Sequence, residues 1–323
     1  MTIQQVILEH NDAELLQYLQ EIENKEKHEN LMQKCTFDYG YGDGVKDCSA
    51  LVLVINLNRS VEVILKVIEI GGKELLMICD EYIGTALHYI CINGNASIDI
   101  IVSRMIDVGG HELLMMSTKY GKTVLHCYAV VPLNIMTKFI EVGRCKLLMM
   151  SDIYGRTALH YACWKRDMSL DMVSKWIEVG GYKLLMMRDE DSRTVLHYIF
   201  RNRNLSLDIV SKMIEVGGYK LLKTSDKFGK TALHYACEYD YVSPDIVSKM
   251  IEGSEFELLM MSDKFNKTAL HYACMNRNVS LDIVSKIIEV SGHRLLMISD
   301  NVDKTALHYA CENANASLNI IKK

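Results

Sequence analysis

Apolar residues recur along this chain with the spacing of amphipathic helices, and short polar segments separate the apolar runs. Between residues 225 and 268, Leu233, Ala236 and Cys237 follow one another at steps of three and four residues, which places them on one helical face. A second run, Pro244–Ile251, comes after a short polar connection. The pattern therefore predicts two consecutive helices, and the same pair recurs along most of the chain.

A four-residue motif, Thr-Ala-Leu-His or Thr-Val-Leu-His, opens the first helix of each pair. Its threonines are Thr85, Thr123, Thr157, Thr194, Thr231, Thr268 and Thr305, and its histidines are His88, His126, His160, His197, His234, His271 and His308. The threonine hydroxyl is placed to cap the helix. Most copies lie 37 residues apart, a period that marks stacked supersecondary units, each of which contacts only its neighbours.

Turn and capping residues delimit both helices of a unit. A polar turn such as Asp226–Lys230 precedes the motif, and we expect positive φ at Gly229. Serines such as Ser206 are expected to cap the second helix, and paired glycines such as Gly217-Gly218 to end it. A Leu-Leu step then recurs seven times in what reads as a return loop. The residues at the place of Gly229 in other units are Gly121, Gly155, Ser192, Asn266 and Asp303.

This order of turn, motif and two helices resembles the ankyrin repeat. The usual unit spans 33 residues and carries T-P-L-H-x-A, and His-Tyr-Ala completes that pattern at His160 and His234. Here Ala or Val replaces the proline, and most units are four residues longer. The resemblance implies an all-α ankyrin-repeat solenoid, a curved array of stacked helix-turn-helix units with short β-turn fingers.

The ends of the array differ from its middle. Residues 2–23 read as two short amphipathic helices without the motif, so we expect residues 1–44 to form an N-terminal helical cap or degenerate repeat. Residues 45–323 then form the ankyrin array of about eight units. The first unit is degenerate, since Val52 replaces the histidine. The last is truncated at Lys323, which predicts a fraying end or a piece of a longer protein.

Composition and charge narrow the function classes. The net charge of −5 offers no general basic footprint for nucleic acid. The first residues lack the features of a signal peptide, and the longest apolar run, Ala50–Ile55, is too short to span a bilayer. We expect an intracellular protein, cytoplasmic or nuclear, that is not secreted and is a monomer by itself.

The recurring His-x-x-Cys pairs, such as His160 and Cys163, contain residue types that can bind metal or act as nucleophiles. A structural zinc site needs four ligands, and the next pair lies about 10 Å away. A Cys-His nucleophile needs an orienting group and an oxyanion hole at one unique place. The resemblance instead implies that the histidine ties the turn to the helix start by hydrogen bonds. We expect no metal, no cofactor and no enzymatic activity.

Positions that differ between units point to a binding surface. In proteins that resemble this one, the exits of the first helices and the turn tips form the concave binding face. Trp, Tyr and Arg often dominate interface energies. The candidates are Trp164, Arg166, Arg201, Arg203, Tyr239 and Tyr241 at the helix exits, and Arg156, Arg193 and Lys230 before the motif threonine. Solvated loops with packed aromatic side chains are the alternative interpretation.

We therefore expect a non-enzymatic scaffold or adaptor that binds a partner protein or peptide along its concave face. Two alternatives stay open from the residues. In the first, the array is an accessory region of a longer channel, kinase or ubiquitin-ligase protein. In the second, the basic residues of the turns bind a polyanion with a steep salt dependence.

Overall fold

The computed structural model describes residues 2–21, 24–38, 45–80, 84–93, 98–127, 132–165, 170–252, 256–276 and 280–313. These residues form two compact units, Met1–Ile153 and Tyr154–Lys323. Helices dominate both units, which confirms the predicted all-α repeat fold. The truncated last helix, predicted after Asn313, lies outside the described residues.

The unit Met1–Ile153 contains eight helices, a 3-10 turn and a two-stranded antiparallel sheet within its described part. Its elements are α1 (Ile3–Glu9), α2 (Asp12–Glu21), α3 (Asn24–Leu31), β1 (Cys35–Asp38), β2 (Val45–Cys48), α4 (Ala50–Asn56), α5 (Val61–Leu76), α6 (Ala86–Asn93), α7 (Ile98–Met115), the 3-10 turn Val124–Cys127 and α8 (Leu133–Leu148). Helices α1 and α2 match the two N-terminal helices of the sequence analysis. The hairpin, which pairs Cys35 with Cys48, was not predicted.

The unit Tyr154–Lys323 repeats one helix pair along its length. Its elements are α9 (Ala158–Trp164), α10 (Leu170–Leu185), α11 (Val195–Ile199), α12 (Leu207–Lys223), α13 (Ala232–Glu238), α14 (Pro244–Glu252), α15 (Phe256–Met260), α16 (Ala269–Met275), α17 (Leu281–Ser291), α18 (His293–Leu296) and α19 (Ala306–Glu312). The motif helices α9, α11, α13, α16 and α19 pack in that order, and the longer helices pack beside them in a second layer.

The core of the second unit lies between these two layers. Leu233, Ala236 and Cys237 are at most 1% exposed, as the three- and four-residue spacing predicts. Ile246 and Val247 of α14 are buried on the facing layer. Burial of such a side chain stabilises the fold by about 1.5–3 kcal/mol for the larger aliphatic residues. A first helix of seven residues is thus held mainly by packing on its neighbours, because isolated helices of that length are unstable in water.

The turns before six of the seven motif threonines have the predicted left-handed residue, and the corresponding residue before Thr85 lies outside the described residues. Gly229 has a φ of 80°, and Ser192, Asn266 and Asp303 at the same place have φ values of 63°, 60° and 59°. The turn closes when the Asp226 carboxylate accepts hydrogen bonds from backbone N–H groups two and four residues later. Neighbouring turns are joined directly, since the N–H of Lys264 donates to the Phe228 carbonyl at 2.8 Å.

The predicted serine caps of the second helix are wrong at two positions. Ser206 and Ser280 occupy the N-cap, but their hydroxyls form no capping hydrogen bond. Their ψ values are 130° and 124°, whereas Ser60, which does accept from the N–H of Val63, has a ψ of 153°. The smaller ψ changes where the N–H groups of the first helical turn lie relative to the serine side chain, and the hydroxyl accepts no bond from them. These helices therefore start without a side-chain cap.

The predicted return loop is in fact helical. The second helix stops at a glycine pair, and one more helical turn, which carries the Leu-Leu step, begins directly after it. In α12 the interruption is Gly218, with φ 62° and ψ −167°. Leu221 and Leu222 follow and are fully buried. The sequence suggests a loop because glycines usually end helices, but the two buried leucines stabilise a further turn.

The two glycines of each pair are needed for different reasons. A Cβ at Gly217 would lie 2.4 Å from Cδ2 of Leu221, so only glycine lets that leucine pack against the helix. A Cβ at Gly218 would meet nothing within 4 Å, and its positive φ is what excludes other residues. Arg144 occupies the second position in α8 with φ 54° and ψ −161°. This backbone region is essentially restricted to glycine, so Arg144 is strained.

We predict that Arg144→Gly stabilises the protein. Relief of the strained backbone contributes about 1–3 kcal/mol, and the greater freedom of glycine in the unfolded chain offsets about 0.5–1 kcal/mol of it. The expected net gain is about 1 kcal/mol, seen as a higher urea midpoint by circular dichroism. Gly110→Ala at the same position of α7 is the matched control and should lower the midpoint, because Gly110 has a φ of 61° that alanine adopts only with strain. Steric contact does not contribute, since a Cβ there would meet no atom within 4 Å. An unchanged midpoint for Arg144→Gly would show that the backbone at Arg144 is not strained.

Candidate functional site

The motif threonine and histidine form a clamp that joins one repeat to the next, here called the Thr–His clamp. In the copy at Thr231, the backbone N–H donates to Nδ1 of His234 at 3.0 Å, and the threonine hydroxyl lies 2.8 Å from the same nitrogen. Because Nδ1 accepts from an N–H group, the imidazole proton is on Nε2. That Nε2 donates to the carbonyl of Lys267 in the next repeat at 3.1 Å.

The same bond between repeats recurs through both units. The acceptor is each time the carbonyl of the basic residue that precedes the next motif threonine. The pairs are His88 with Lys122, His160 with Arg193, His197 with Lys230, His234 with Lys267 and His271 with Lys304, at 3.1–3.3 Å. The local bond from the threonine N–H to Nδ1 of its own histidine is present in the other copies too, including those of His126 and His308. The threonines of these copies are Thr85, Thr123, Thr157, Thr194, Thr268 and Thr305.

Burial keeps the clamp rings neutral. Desolvation lowers the pKa of His88, His197 and His234 to about 4. Burial also raises the pKa of the Cys237 thiol well above its usual range and that of Cys274 to about 12. At neutral pH the histidines are uncharged and these thiols are protonated. A thiolate nucleophile therefore does not form at these positions.

A second recurring contact, which the sequence analysis missed, joins the motif tyrosine to the turn aspartate. The hydroxyl of Tyr235 donates to Oδ2 of Asp226 at 2.7 Å, and Tyr272 donates to Asp263 at the same distance. Both aspartates are buried, and their other oxygen holds the turn backbone. The signal in the sequence is the constant nine-residue separation of Asp and Tyr. Only the folded turn shows that the two meet.

The three basic residues predicted before the motif already have partners within the chain. Arg193 pairs with Asp191 at 2.7 Å and lies 3.7 Å from Asp226. Lys230 pairs with Glu238 at 3.0 Å, and its ammonium lies 4.1 Å from the ring centre of Tyr272. The guanidinium of Arg156 covers the Tyr154 ring at 5.1 Å. Side chains of Arg193 and Lys230 are less than one-fifth exposed.

The predicted residues at the helix exits come together as one set, here called the loop cluster: Trp164, Arg201, Arg203, Tyr239 and Tyr241. The guanidinium of Arg201 lies over the Trp164 ring at 5.7 Å, and that of Arg203 lies over the Tyr241 ring at 5.6 Å. The rings of Tyr239 and Tyr241 stack at 5.3 Å with 22° between their planes. Three consecutive repeats supply these side chains.

Electrostatics within the loop cluster follow from this packing. Burial and then the neighbouring Tyr239 raise the pKa of Tyr241 to about 12, while the charge of Arg203 opposes the rise. Burial also raises the pKa of Tyr239, and the guanidinium of Arg201 opposes it. Both phenols are therefore neutral at physiological pH. The sixth predicted residue of the set, Arg166, lies outside the described residues.

Asparagines at the exits of the motif helices, Asn202 buried and Asn276 half-buried, bond to the backbone of the preceding repeat, a contact that the sequence does not reveal. The amide of Asn202 donates to the Lys165 carbonyl at 2.7 Å, and Asn276 donates to the Cys237 carbonyl at 3.3 Å. Where Tyr239 replaces this asparagine, the hydroxyl of Tyr241 donates to the Phe200 carbonyl at 2.6 Å. The sequence does not predict these bonds, because their backbone partners lie in the neighbouring repeat.

Two further features limit what the described residues can do. They contain no group of three or more His, Cys, Asp or Glu side chains placed to hold a metal ion. Every helix within the described ranges is too short or too polar to span a lipid bilayer.

Comparison with known proteins agrees with the motif and the fold. Residues 240–323 match the family model for ankyrin repeats (3 copies). Among 355 matching solved chains is the ankyrin repeat domain of Bcl-3, a unique member of the IkappaB protein family, with 22% identity and a TM-score of 0.52. The match covers 73% of this chain and 96% of that one, and this likeness concerns the fold. No curated protein matches the chain.

We predict that replacement of one clamp histidine weakens the pH dependence of stability. The unfolded imidazole has a pKa near 6.5 and the folded one of His234 is about 4, so stability is greatest above about pH 7 and decreases as the pH falls toward 4. Between pH 7 and pH 5, each such histidine lowers the free energy of unfolding by about 2 kcal/mol, because its imidazole takes up a proton only in the unfolded chain.

The variant His234→Gln should be less stable than wild type at pH 8. Between pH 7 and pH 5, the free energy of unfolding should decrease in both proteins, and the decrease should be about 2 kcal/mol smaller in the variant than in wild type. Urea unfolding at a series of pH values measures both quantities. His197→Gln should behave alike, because burial lowers the pKa of His197 to the same value. A pH dependence identical to wild type in both variants would rule out neutral clamp rings as its source.

Proposed function

We propose that this ankyrin-repeat chain is a protein-interaction module that binds a partner protein or peptide through the loop cluster, on the face formed by the exits of its motif helices. The observation that carries the proposal is the assembly of Trp164, Arg201, Arg203, Tyr239 and Tyr241 from three consecutive repeats. Tryptophan, tyrosine and arginine are the residues most enriched among side chains that dominate binding energy.

The motif residues are unsuited to recognition because the fold already uses them. The clamp histidines other than His308 are at most 5% exposed in the described copies, and the Asp–Tyr pairs face inward. The fold also uses Arg156, Arg193 and Lys230, which contact Tyr154, Asp191 and Glu238 within the chain. The loop cluster differs, since Trp164 is 45% exposed and Arg201 and Arg203 are exposed.

The proposed role is non-enzymatic. Neutral clamp histidines and protonated thiols in equivalent copies support a structural use of these residues. The net charge of −5 favours a protein partner over a nucleic acid, and we propose that the chain acts as an intracellular monomer. Membership of a longer multidomain protein is compatible with this role and stays a prediction from the sequence.

The test replaces the exposed part of the loop cluster and leaves its anchors in place. We predict that Trp164→Ala combined with Arg201→Ala and Arg203→Ala weakens binding of a partner captured by the wild-type chain at least about tenfold, because hot-spot truncations cost about 2 kcal/mol or more each. Affinity capture with the full chain as bait, followed by calorimetry on the captured protein, measures the change.

A matched control removes one aromatic and two cationic side chains elsewhere in the same unit. Tyr182→Ala with Lys175→Ala and Lys183→Ala affects three exposed residues of α10 and should bind as wild type does. Circular dichroism should show wild-type helix content in both triple variants. Equal affinity of the cluster variant and wild type would move the binding surface elsewhere.

A further inference from the structure

The arginines of the loop cluster differ in one respect from four of the basic residues of the turns. Arg193, Lys230, Lys267 and Lys304 each have a carboxylate within 4 Å. Within the described residues, the contacts of Arg201 and Arg203 are with aromatic side chains, and neither arginine has an ion-pair partner. The cluster therefore presents two exposed cations with which none of the described carboxylates forms an ion pair.

The stacking on aromatic rings suits these arginines to bind a carboxylate. A guanidinium whose flat face covers a ring keeps N–H donors along its edge, and those donors match the two oxygens of a carboxylate. The nearby acids reduce this positive charge only in part. Glu238 is already paired with Lys230 at 3.0 Å. Near Tyr241, the single negative charge of Asp240 acts together with the two positive charges of Arg201 and Arg203.

Both arginines are held before any partner arrives. Asn202, which lies between them in sequence, is 7% exposed, donates to the Lys165 carbonyl and accepts from the N–H of Asn204 at 2.9 Å. The backbone N–H of Arg201 donates to the Tyr198 carbonyl at 3.0 Å. A loop fixed in this way loses little conformational entropy on binding, so a partner gains more of the interaction energy.

We propose that the loop cluster recognises an acidic segment of its protein partner. Carboxylates of the segment pair with Arg201 and Arg203, and a neighbouring apolar or aromatic side chain packs on the exposed ring of Trp164. This inference rests on the proposed function and adds the chemistry of the partner. It also moves acidic recognition away from the basic turn residues, whose charges the fold already pairs.

The experiment selects random peptides displayed on phage against the full chain, with three variants in parallel. Arg201→Gln with Arg203→Gln removes the two charges at similar size. Trp164→Ala removes the exposed ring, and Lys175→Gln with Lys183→Gln is the charge-matched control on α10. All variants should give the helix content of wild type by circular dichroism.

The expected result is that peptides enriched by wild type over Trp164→Ala carry more Asp and Glu than the unselected library. Their affinity should fall at least about tenfold for the arginine double variant and stay unchanged for the lysine control. It should also weaken as ionic strength rises from about 0.1 to 1 M, since salt screens exposed charges.

Two outcomes would overturn the inference in distinguishable ways. Peptides that require Trp164 but show no acidic excess, and that bind the arginine double variant as tightly as wild type, refute acidic recognition and leave the proposed function standing. Absence of any peptide that distinguishes wild type from Trp164→Ala refutes both. Single-stranded poly(U) RNA serves as a competitor, and displacement of the acidic peptides by it would assign the cluster to nucleic acid instead.

Discussion

One hydrogen-bonded imidazole in each repeat connects the start of its own helix to the backbone of the next repeat. The threonine N–H donates to Nδ1, which leaves Nε2 as the donor to a carbonyl 33 residues later in most copies. A protonated ring would lose the first of these bonds, because Nδ1 would then carry a hydrogen that faces the N–H group. The stacking of repeats within each unit therefore depends on buried, neutral histidines, and burial lowers their pKa accordingly.

The polar residues around this clamp belong to the same network. The turn aspartate holds its own backbone with one oxygen and the motif tyrosine with the other. The basic residue before the threonine offers its carbonyl to the histidine and its charge to a nearby acid or ring. Histidine, cysteine, aspartate and tyrosine look like catalytic chemistry in the sequence. In the fold, histidine and aspartate satisfy backbone groups that would be costly to leave unpaired. The tyrosine bonds to the aspartate, and the cysteine packs in the core.

The loop cluster stands outside this network, and the contrast supports a binding role. Its arginines cover aromatic rings of neighbouring repeats, its loop is anchored by Asn202, and Trp164, Arg201 and Arg203 stay exposed. These residues stand out in the sequence because they differ between repeats and include tryptophan, tyrosine and arginine. Arg156, Arg193 and Lys230 were candidates for another reason, as basic residues of the turns that recur before the motif threonine, and the structure shows those three paired or stacked within the chain.

The sequence by itself determined the local elements: the motif helices, their apolar faces and the left-handed turn residues at Ser192, Asn266 and Asp303. These depend on residues within a few positions of each other, and periodicity and backbone preference encode them directly. The tertiary structure decided that the Leu-Leu step is helical, that Asp226 meets Tyr235, and that Arg201 stacks on Trp164. Such outcomes depend on the pairing of groups brought together by turns or by packing between repeats, and the linear order of the residues does not specify that pairing.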